Sequence, residues 1–502
     1  MQSGKLSIDP AFVVAPVNRR VFGSFVEHMG RCVYGGIFEP GHATSDDDGL
    51  RGDVLELVRE LGVTAVRYPG GNFVSGYRWE DGVGPVADRP TRLDPAWRTI
   101  ETNAFGLNEF MAWARKAEVE PIMATNLGTR GLPEAMELLE YANHPQGTAL
   151  SDLRIEHGAK EPHGIRLWCL GNEMDGPWQL GHMTAAEYGR VAAETARGMR
   201  QLDPDLELVA CGSSGRAMAT FGEWEATVLE HTYELVDYIS AHAYYELEGD
   251  DVAGFLASSV DMDRFIRDVV ATADHVGAKL ASTKKIDISF DEWNVWYQRD
   301  LAGAVGQQDW TVAPRLSEDA YTVLDAVVVG SLLITLLQHS DRVTIACQAQ
   351  LVNTIAPIRS EPDGPAWRQS IFHPFALMAR HARGQVLDLR VDAPTLTTAK
   401  HGEVAVLDAV ATHDAETGQL AVFVVNRNPT EAVSFATDLR GFGAASLTEA
   451  VVLADDDLFA ANTMQEPDRV VPRPHTSAAV DGTTLRAELP PASWSMFRLQ
   501  LS

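Results

Sequence analysis

The sequence predicts a (β/α)8 TIM barrel followed by an all-β domain of sandwich or jelly-roll type. Short apolar runs alternate with amphipathic helical patterns through most of the chain. Polar and carboxylate side chains arrive just as these runs end, where a parallel barrel carries its chemistry. After His381 the texture changes to alternating segments (VAVLDAV, LAVFVVN, AVSFA, EAVVL, SMFRLQL) broken by Gly, Pro, Asn and Asp. The expected division is an N-terminal strand within residues 1–15 that joins the β domain, a barrel over 16–384 and a β-sandwich over 385–502. A typical barrel has about 250 residues, so this one needs enlarged loops.

The first run, Ala11 to Ala15, is closed by Pro16 and reads as the strand that pairs into the β domain. Val21 to Val26 is the first barrel strand, with Glu27 and His28 at its end. Asp46 to Asp48 reads as a solvated loop. Val54, Leu55, Leu57, Val58 and Leu61 share one face of a helix that stops at Gly62. Val63 to Tyr68 is the second strand, containing Arg67, with Asn72 just beyond. Residues 73–98, rich in Gly, Pro, Trp and Arg, form a long loop suited to facing a substrate. Asn108 to Lys116 is a helix and Pro121 to Ala124 the third strand, followed by Asn126. Pro133 to Tyr141 is a helix. Ile165 to Leu170 is too short for a helix and lies between Gly164 and Gly171, so it reads as a buried fourth strand that delivers Asn172 and Glu173. Tyr188, Val191, Thr195, Met199 and Leu202 make a helical stripe. The last four strands are Leu206–Cys211, Tyr238–His242, Ile286–Phe290 and Val343–Cys347, with a long helical pattern from Glu318 to Gln338 before the eighth.

Composition narrows the function. The 502 residues carry a formal charge of −29 with no large basic cluster, so nucleic acid and anionic membranes are poor partners. The N-terminus lacks the basic start and apolar core of a signal peptide. The longest apolar-rich stretch, Val323 to Leu337, is interrupted by Asp325, Ser331 and Thr335 and is too short for a bilayer. The four cysteines form no C-x-x-C pair, so a structural zinc site is not expected. Three of them lie in strand-like runs, as buried thiols do in a reducing compartment, and a cytoplasmic location is expected. No G-x-G-x-x-G or phosphate-loop motif is present.

Strand ends converge on one face of a barrel. There the sequence gathers Glu27, His28, Arg67, Asn72, Asn126, Asn172, Glu173, His242, Tyr244, Asp291, Glu292, Gln348 and Gln350, with Trp97, Trp178, Trp293, Trp296 and Tyr297 nearby. Neutral hydrogen-bonding groups beside aromatic rings suit a polyhydroxylated, uncharged ligand, a sugar. Carboxylates on strands four and seven face each other across the mouth. A pair about 5–5.5 Å apart is what a retaining glycosidase uses, one as nucleophile and one as acid/base. Glu173 and Glu292 are the chosen pair. Asp291 is the weaker candidate, because neighbours in an extended strand point to opposite faces. Singly, each of these carboxylates reads equally as a loop or capping group, and each tryptophan as core. His28 and His242 lack the H-x-x-x-H or H-x-E spacing of metal ligands, so no metal is expected.

The segments GSFVEHMGRCVYGGIFEPGH, VRYPGGNFVSGYRWEDGVGP, FGLNEFMAWA, TNLGTRG, WCLGNEMDGPWQ, ISAHAYY, DISFDEWNVWY and AQLVNTIAPI resemble the family 51 glycoside hydrolases, the α-L-arabinofuranosidases. The resemblance covers nearly the whole barrel. It implies Glu173 as acid/base and Glu292 as nucleophile. It also implies an arabinose-binding set of Glu27, Arg67, Asn72, Asn172, Tyr244 and Gln350, with Trp97 and Trp296 lining the pocket. His242 is added to the substrate-binding set from its place at the end of strand six. The resemblance further implies an exo-acting, retaining hydrolase of arabinan, arabinoxylan or their oligosaccharides, with no cofactor, and a homohexamer in many members. Two other readings use the same residues: an endo-acting β-glycan hydrolase on this fold and a catalytically silent sugar-binding barrel. A metal-dependent barrel hydrolase is the reading that loss of activity in EDTA would favour.

Overall fold

The computed structural model describes residues 2–298, 301, 305–306 and 309–501. Eight parallel strands close into a barrel: β1 (Gly23–Phe25), β2 (Ala65–Tyr68), β3 (Glu120–Ala124), β4 (Leu167–Leu170), β5 (Glu207–Ala210), β6 (Tyr238–Tyr245), β7 (Asp287–Val295) and β8 (Val343–Ala349). Chain order is barrel order, and β8 returns to β1 with Cys347 opposite Gly23. β2 and β4 are buried along their whole length. Strands covered on both faces read as continuous apolar runs, which is why they were legible. Between β1 and β2, the helix Gly52–Leu61 buries Val54, Leu55, Leu57, Val58 and Leu61. It ends at Gly62, whose φ of +78° is the left-handed C-terminal conformation that glycine takes most readily.

β6 and β7 run further than the apolar pattern suggested, to Tyr245 and Val295. The pattern breaks at Asp291, Glu292 and Asn294 because these polar side chains are satisfied by His242, Arg67, Tyr244, Gln348 and the Ala349 and Ile355 carbonyls, while the backbone pairing continues. A single bulge in β7 accompanies the change. Ser289 pairs with Ser240 but Glu292 with His242, and on the other side Phe290 pairs with Ala346 but Trp293 with Gln348. One extra residue on β7 thus breaks the alternation of faces at Asp291 and Glu292. The expectation that Asp291 points away from Glu292 fails for that reason.

The N-terminal run forms the strand Val13–Pro16 against Gln385–Leu387. A strand absent from the sequence reading, Gln2–Ser7, lies parallel to Val433–Asp438 and antiparallel to Arg390–Asp392. Only Gly4 and Leu6 of it are buried, too little alternation to read. The C-terminal region is two facing sheets of five and seven strands. Leu6, Val422, Val424, Phe435, Phe497 and Leu499 fill the space between them. The outer face of the seven-stranded sheet, with Val410, Phe423, Val425, Trp494 and Met496, packs into the barrel core instead. Both faces of LAVFVVN are therefore covered, one by each domain.

The element between the domains is the helix Val323–Gln338, buried at every position from Val323 to Leu337. A helix apolar all round belongs inside a protein. A Cβ on Gly330 would sit 2.3 Å from Trp494 Cδ1, so this helix and the sheet meet at van der Waals range only because that residue is glycine. Beside it lies a buried polar junction. Arg427 Nη2 donates to Asp408 Oδ2 and to Ser259 Oγ, and Ser331 Oγ donates to Asp408 at 2.6 Å. Removing one partner leaves an uncompensated buried charge. Arg427→Ala should destabilise the chain by about 3–5 kcal/mol, measured by urea denaturation. A loss below about 1 kcal/mol would show that water reaches the junction. Among the described residues, no helix is long and apolar enough to cross a membrane.

Candidate active site

A cavity of about 810 Å³ opens at the C-terminal end of the barrel, with Glu27, Asn72, Trp97, Glu173, His242, Tyr244, Glu292, Trp296 and Gln350 on its walls. Seven of the eight strands or their following loops carry the residues discussed below. β2 supplies the central cation, Arg67, which is buried. Its Nη1 donates to Glu292 Oε1 at 2.7 Å and its Nη2 to Asn172 Oδ1 at 2.6 Å, while its Nε lies 3.6 Å from Asp291 Oδ2. The guanidinium also lies over the Phe25 ring, 4.9 Å from its centre. One planar group thereby fixes β4 and β7 relative to each other.

Glu173 follows Gly171 at the end of β4. Gly171 has φ +92° and Glu173 φ +44°, left-handed values that turn the chain sharply out of the strand. Such a conformation in a non-glycine residue costs about 1–3 kcal/mol and persists where its surroundings hold it. His242 Nδ1 binds Glu173 Oε1 at 2.9 Å, and the Trp178 indole N–H donates to Oε2 at 2.8 Å. On the other side, Tyr244 donates its hydroxyl to Glu292 Oε2 at 2.8 Å. One oxygen of Glu173, one of Glu292 and a ring nitrogen of His242 lie within 4.8 Å of one another.

Charge is arranged around this pair. Burial opposes a charge on His242, but Glu292, Asp291 and Glu173 overcome it and hold the ring well above the ordinary histidine value. A protonated ring donates to both Glu173 and Asp291, the latter at 3.0 Å from Nε2. Burial pushes Asp291 up, yet Arg67 and His242 bring it below the usual carboxylate value. For Glu292, burial and the Glu173 charge outweigh His242, Arg67 and the Tyr244 hydroxyl, and the carboxyl rests above its ordinary value. The three groups Glu173, His242 and Glu292 are close enough to ligate a cation. The cationic imidazole and Arg67 work against one there.

Glu27 lines the opposite wall. Its Oε1 accepts from the Phe73 backbone N–H at 3.0 Å and the Trp97 indole N–H at 2.9 Å, and its Oε2 from Gln350 Nε2 at 3.2 Å. Burial lifts the carboxyl to about 8 against the first two donors, with the Glu292 charge adding to the rise. A carboxyl raised on folding contributes stability that is full below its unfolded value, about 4.3, and lost as pH rises through the folded value. The thermal midpoint should therefore fall more steeply between about pH 5 and pH 8 than that of Glu27→Gln, which cannot ionise. Parallel curves would mean that Glu27 is ionised throughout that range.

The structure separates the remaining candidates. Asn72 opens a short 3-10 turn after β2 and is half-buried at the cavity wall. Trp296 meets Tyr244 edge-on, centres 4.8 Å apart, and its indole N–H donates to Ser317 Oγ at 3.1 Å. His28 is turned away, its two nitrogens taken by Glu101 and Tyr68. Asn126 binds the Tyr77 carbonyl and Thr129, Gln348 binds Asn294, and Tyr297 donates to Asp325. Asp291 touches His242 and Arg67 and is not on the cavity wall, whereas His242 binds Glu173 and lies on that wall. Phe25 and Met29 line the cavity and carried no sequence signal, being apolar residues at a strand end like any core residue.

Among known proteins, a family model described as the alpha-L-arabinofuranosidase 1 domain matches residues 57–249, and one described as the alpha-L-arabinofuranosidase C-terminal domain matches residues 291–493. A Streptomyces lividans protein named an intracellular exo-α-(1→5)-L-arabinofuranosidase is 64% identical, the match covering 99% of this chain and 75% of that one. A Bifidobacterium longum exo-α-(1→6)-L-arabinofuranosidase is 55% identical over 99% of this chain and 97% of its own length. The solved structure of a family 51 α-L-arabinofuranosidase from Bifidobacterium longum superposes with a TM-score of 0.95 at 47% identity, covering 99% of both chains. With matches of this extent joined to a strand-four and strand-seven glutamate pair, the chain belongs to the family 51 glycoside hydrolases and is an exo-acting α-L-arabinofuranosidase.

Proposed function

We propose that the enzyme releases terminal α-L-arabinofuranose by double displacement, with Glu292 as nucleophile and Glu173 as acid/base. The supporting observation is the separation of the two carboxylates, whose nearest relevant oxygens lie within 4.8 Å. Retaining enzymes need about 5–5.5 Å between carboxyl groups, whereas an inverting pair leaves about 6.5–9.5 Å for a water. His242, Arg67 and the Tyr244 hydroxyl stabilise the Glu292 anion against the burial and the Glu173 charge that raise it. Glu292 attacks the anomeric carbon as Glu173 gives its proton to the leaving oxygen. Glu173 next takes a proton from water, which releases arabinose with its configuration retained.

Glu27, Asn72 and Gln350 hold the ring hydroxyls, Trp97 and Trp296 bound the ring, and Asn172 sits beside the nucleophile. Asn172 Nδ2 and Gln350 Oε1 are buried with no protein partner among the described residues, which suits groups awaiting sugar hydroxyls. An activated 2-deoxy-2-fluoro-arabinofuranoside, slow to leave the enzyme, should label the peptide containing Glu292, as read by mass spectrometry. A label on Glu173 or Asp291 would reverse or replace the assignment.

Asn72→Ala should lower kcat/KM by about 0.5–1.5 kcal/mol equivalent, or more if the bond tightens in the transition state, with the thermal midpoint nearly unchanged, whereas Asn172→Ala, which also takes the acceptor from buried Arg67 Nη2, should lower both. Lost stability with intact kinetics would assign them a structural role. By likeness to the Streptomyces lividans relative, the proposed linkage is (1→5) and the proposed location the cytoplasm. The family resemblance supports a homohexamer, and the division at 15/16 and 384/385 is proposed with it. The endo-acting reading is not favoured, since the curated relatives are exo-enzymes.

A further inference from the structure

Between β2 and β3, residues 95–98 join two short antiparallel strands, Arg92–Asp94 and Thr99–Glu101. Two residues of this connection, Ala96 and Trp97, line the catalytic cavity. The Trp97 indole N–H donates to Glu27 Oε1 at 2.9 Å, and the Phe73 backbone N–H shares that oxygen at 3.0 Å. Trp97 therefore walls the cavity and also helps to fix the Glu27 carboxyl. Trp97 is in turn held by Asp94, which is buried and does not line the cavity. Asp94 Oδ1 accepts from the Ala96 backbone N–H at 3.0 Å. Its Oδ2 accepts from the Trp97 backbone N–H at 3.1 Å and from the Thr99 hydroxyl at 3.4 Å. One carboxyl thus binds both cavity-lining residues of the connection and the strand that follows it. The chain closes at Arg98 with φ +54°, a left-handed conformation that a non-glycine residue keeps where its surroundings hold it.

We propose that Asp94 is a positioning residue for the arabinosyl ring: it holds Trp97 and, through the indole, Glu27, without touching the sugar. This role rests on the placement of Trp97 and Glu27 against the ring proposed above, and adds to it the group that sets them. The chemistry suits the task. Burial pushes the Asp94 carboxyl up to about 6 against the Ala96 and Trp97 N–H donors, with the Glu101 charge adding to the rise. Near neutral pH the group is therefore ionised, and its bonds to the two backbone N–H groups are charge-assisted, the stronger kind. A carboxyl that merely capped a turn would act on stability alone. Here the capped turn carries the tryptophan whose far end binds Glu27, so the same bonds bear on the substrate.

A double-mutant cycle separates the two roles. It compares kcat/KM on 4-nitrophenyl α-L-arabinofuranoside for the unmodified enzyme, Asp94→Ala, Trp97→Ala and the variant carrying both. Asp94→Ala should lower kcat/KM about tenfold, the size expected when a hydrogen bond to a charged group is lost. In the Trp97→Ala background the same change should cost less than about twofold, because the residue through which Asp94 acts is gone. Asp94→Asn keeps one acceptor oxygen and should lose only about threefold. It runs through the same cycle and decides the question if the alanine variant does not fold. A loss below about twofold in the unmodified background, or one that persists above about twofold without Trp97, would overturn the proposal. A Trp97→Ala variant as active as the unmodified enzyme would remove Trp97 from the ring site, and this inference with it.

Discussion

Glu292→Ala is expected to lower hydrolysis of every arabinofuranoside by about 10⁵-fold or more, whatever the leaving group, because no covalent intermediate forms without it. The loss should be in kcat, with aryl and natural substrates affected alike. The variant also deprives Arg67 Nη1 and the Tyr244 hydroxyl of their acceptor. Arg67 keeps Asn172 and Asp291, so the fold should survive, and a near-ultraviolet circular dichroism spectrum checks this. Azide fits the vacated space and attacks the anomeric carbon directly. The product is then the β-configured glycosyl azide, formed by one inversion. An α-azide from this variant would mean that a different carboxylate, Asp291 first among them, still serves as nucleophile.

Glu173→Ala should separate substrates by leaving group. Natural linkages need a proton on the departing alcohol, and loss of a general acid typically costs 10²–10⁴-fold. An acidic phenol departs without help, so with an aryl arabinoside the first step persists and the glycosyl–enzyme accumulates, seen as a burst of phenol. Azide needs no general base, so it should speed turnover and yield the α-configured azide after two inversions. The contacts that Glu173 makes bear on a second outcome. With the carboxylate gone, His242 Nδ1 and the Trp178 indole both lose an acceptor. Trp178 should then become more mobile, and its fluorescence is the readout. Equal losses on natural and aryl substrates, with no azide effect, would take the acid/base role away from Glu173.

Much of this arrangement was legible in the sequence, for identifiable reasons. Strands buried on both faces give continuous apolar runs, and the break at Gly171 marked where β4 stops and Glu173 begins. The Glu173–Glu292 pair followed from that position and from its counterpart after DISF. What was not legible came from features that carry no pattern. The bulge in β7 brings Asp291 to His242 and Arg67, and a one-residue slip leaves no trace in residue type. The strand Gln2–Ser7 buries Gly4 and Leu6 alone. His28 looked like a site residue because it follows β1, yet Glu101, far along the chain, binds it. Trp178 was legible as a nearby aromatic, five residues beyond Glu173 in the same GNEMDGPW segment, but its hydrogen bond to Glu173 was not.

The central claim is that Glu292 and Glu173 perform two successive inversions at the anomeric carbon of an arabinofuranoside. The measurement that tests it most directly is proton NMR of the product formed when the unmodified enzyme acts on (1→5)-linked arabino-oligosaccharides in aqueous methanol. Methanol captures the arabinosyl group as a stable glycoside, so the result is not blurred by interconversion of free arabinose. Methyl α-L-arabinofuranoside is the product the account predicts. Methyl β-L-arabinofuranoside would contradict it, because one inversion requires a carboxyl pair wide enough to hold the acceptor between them.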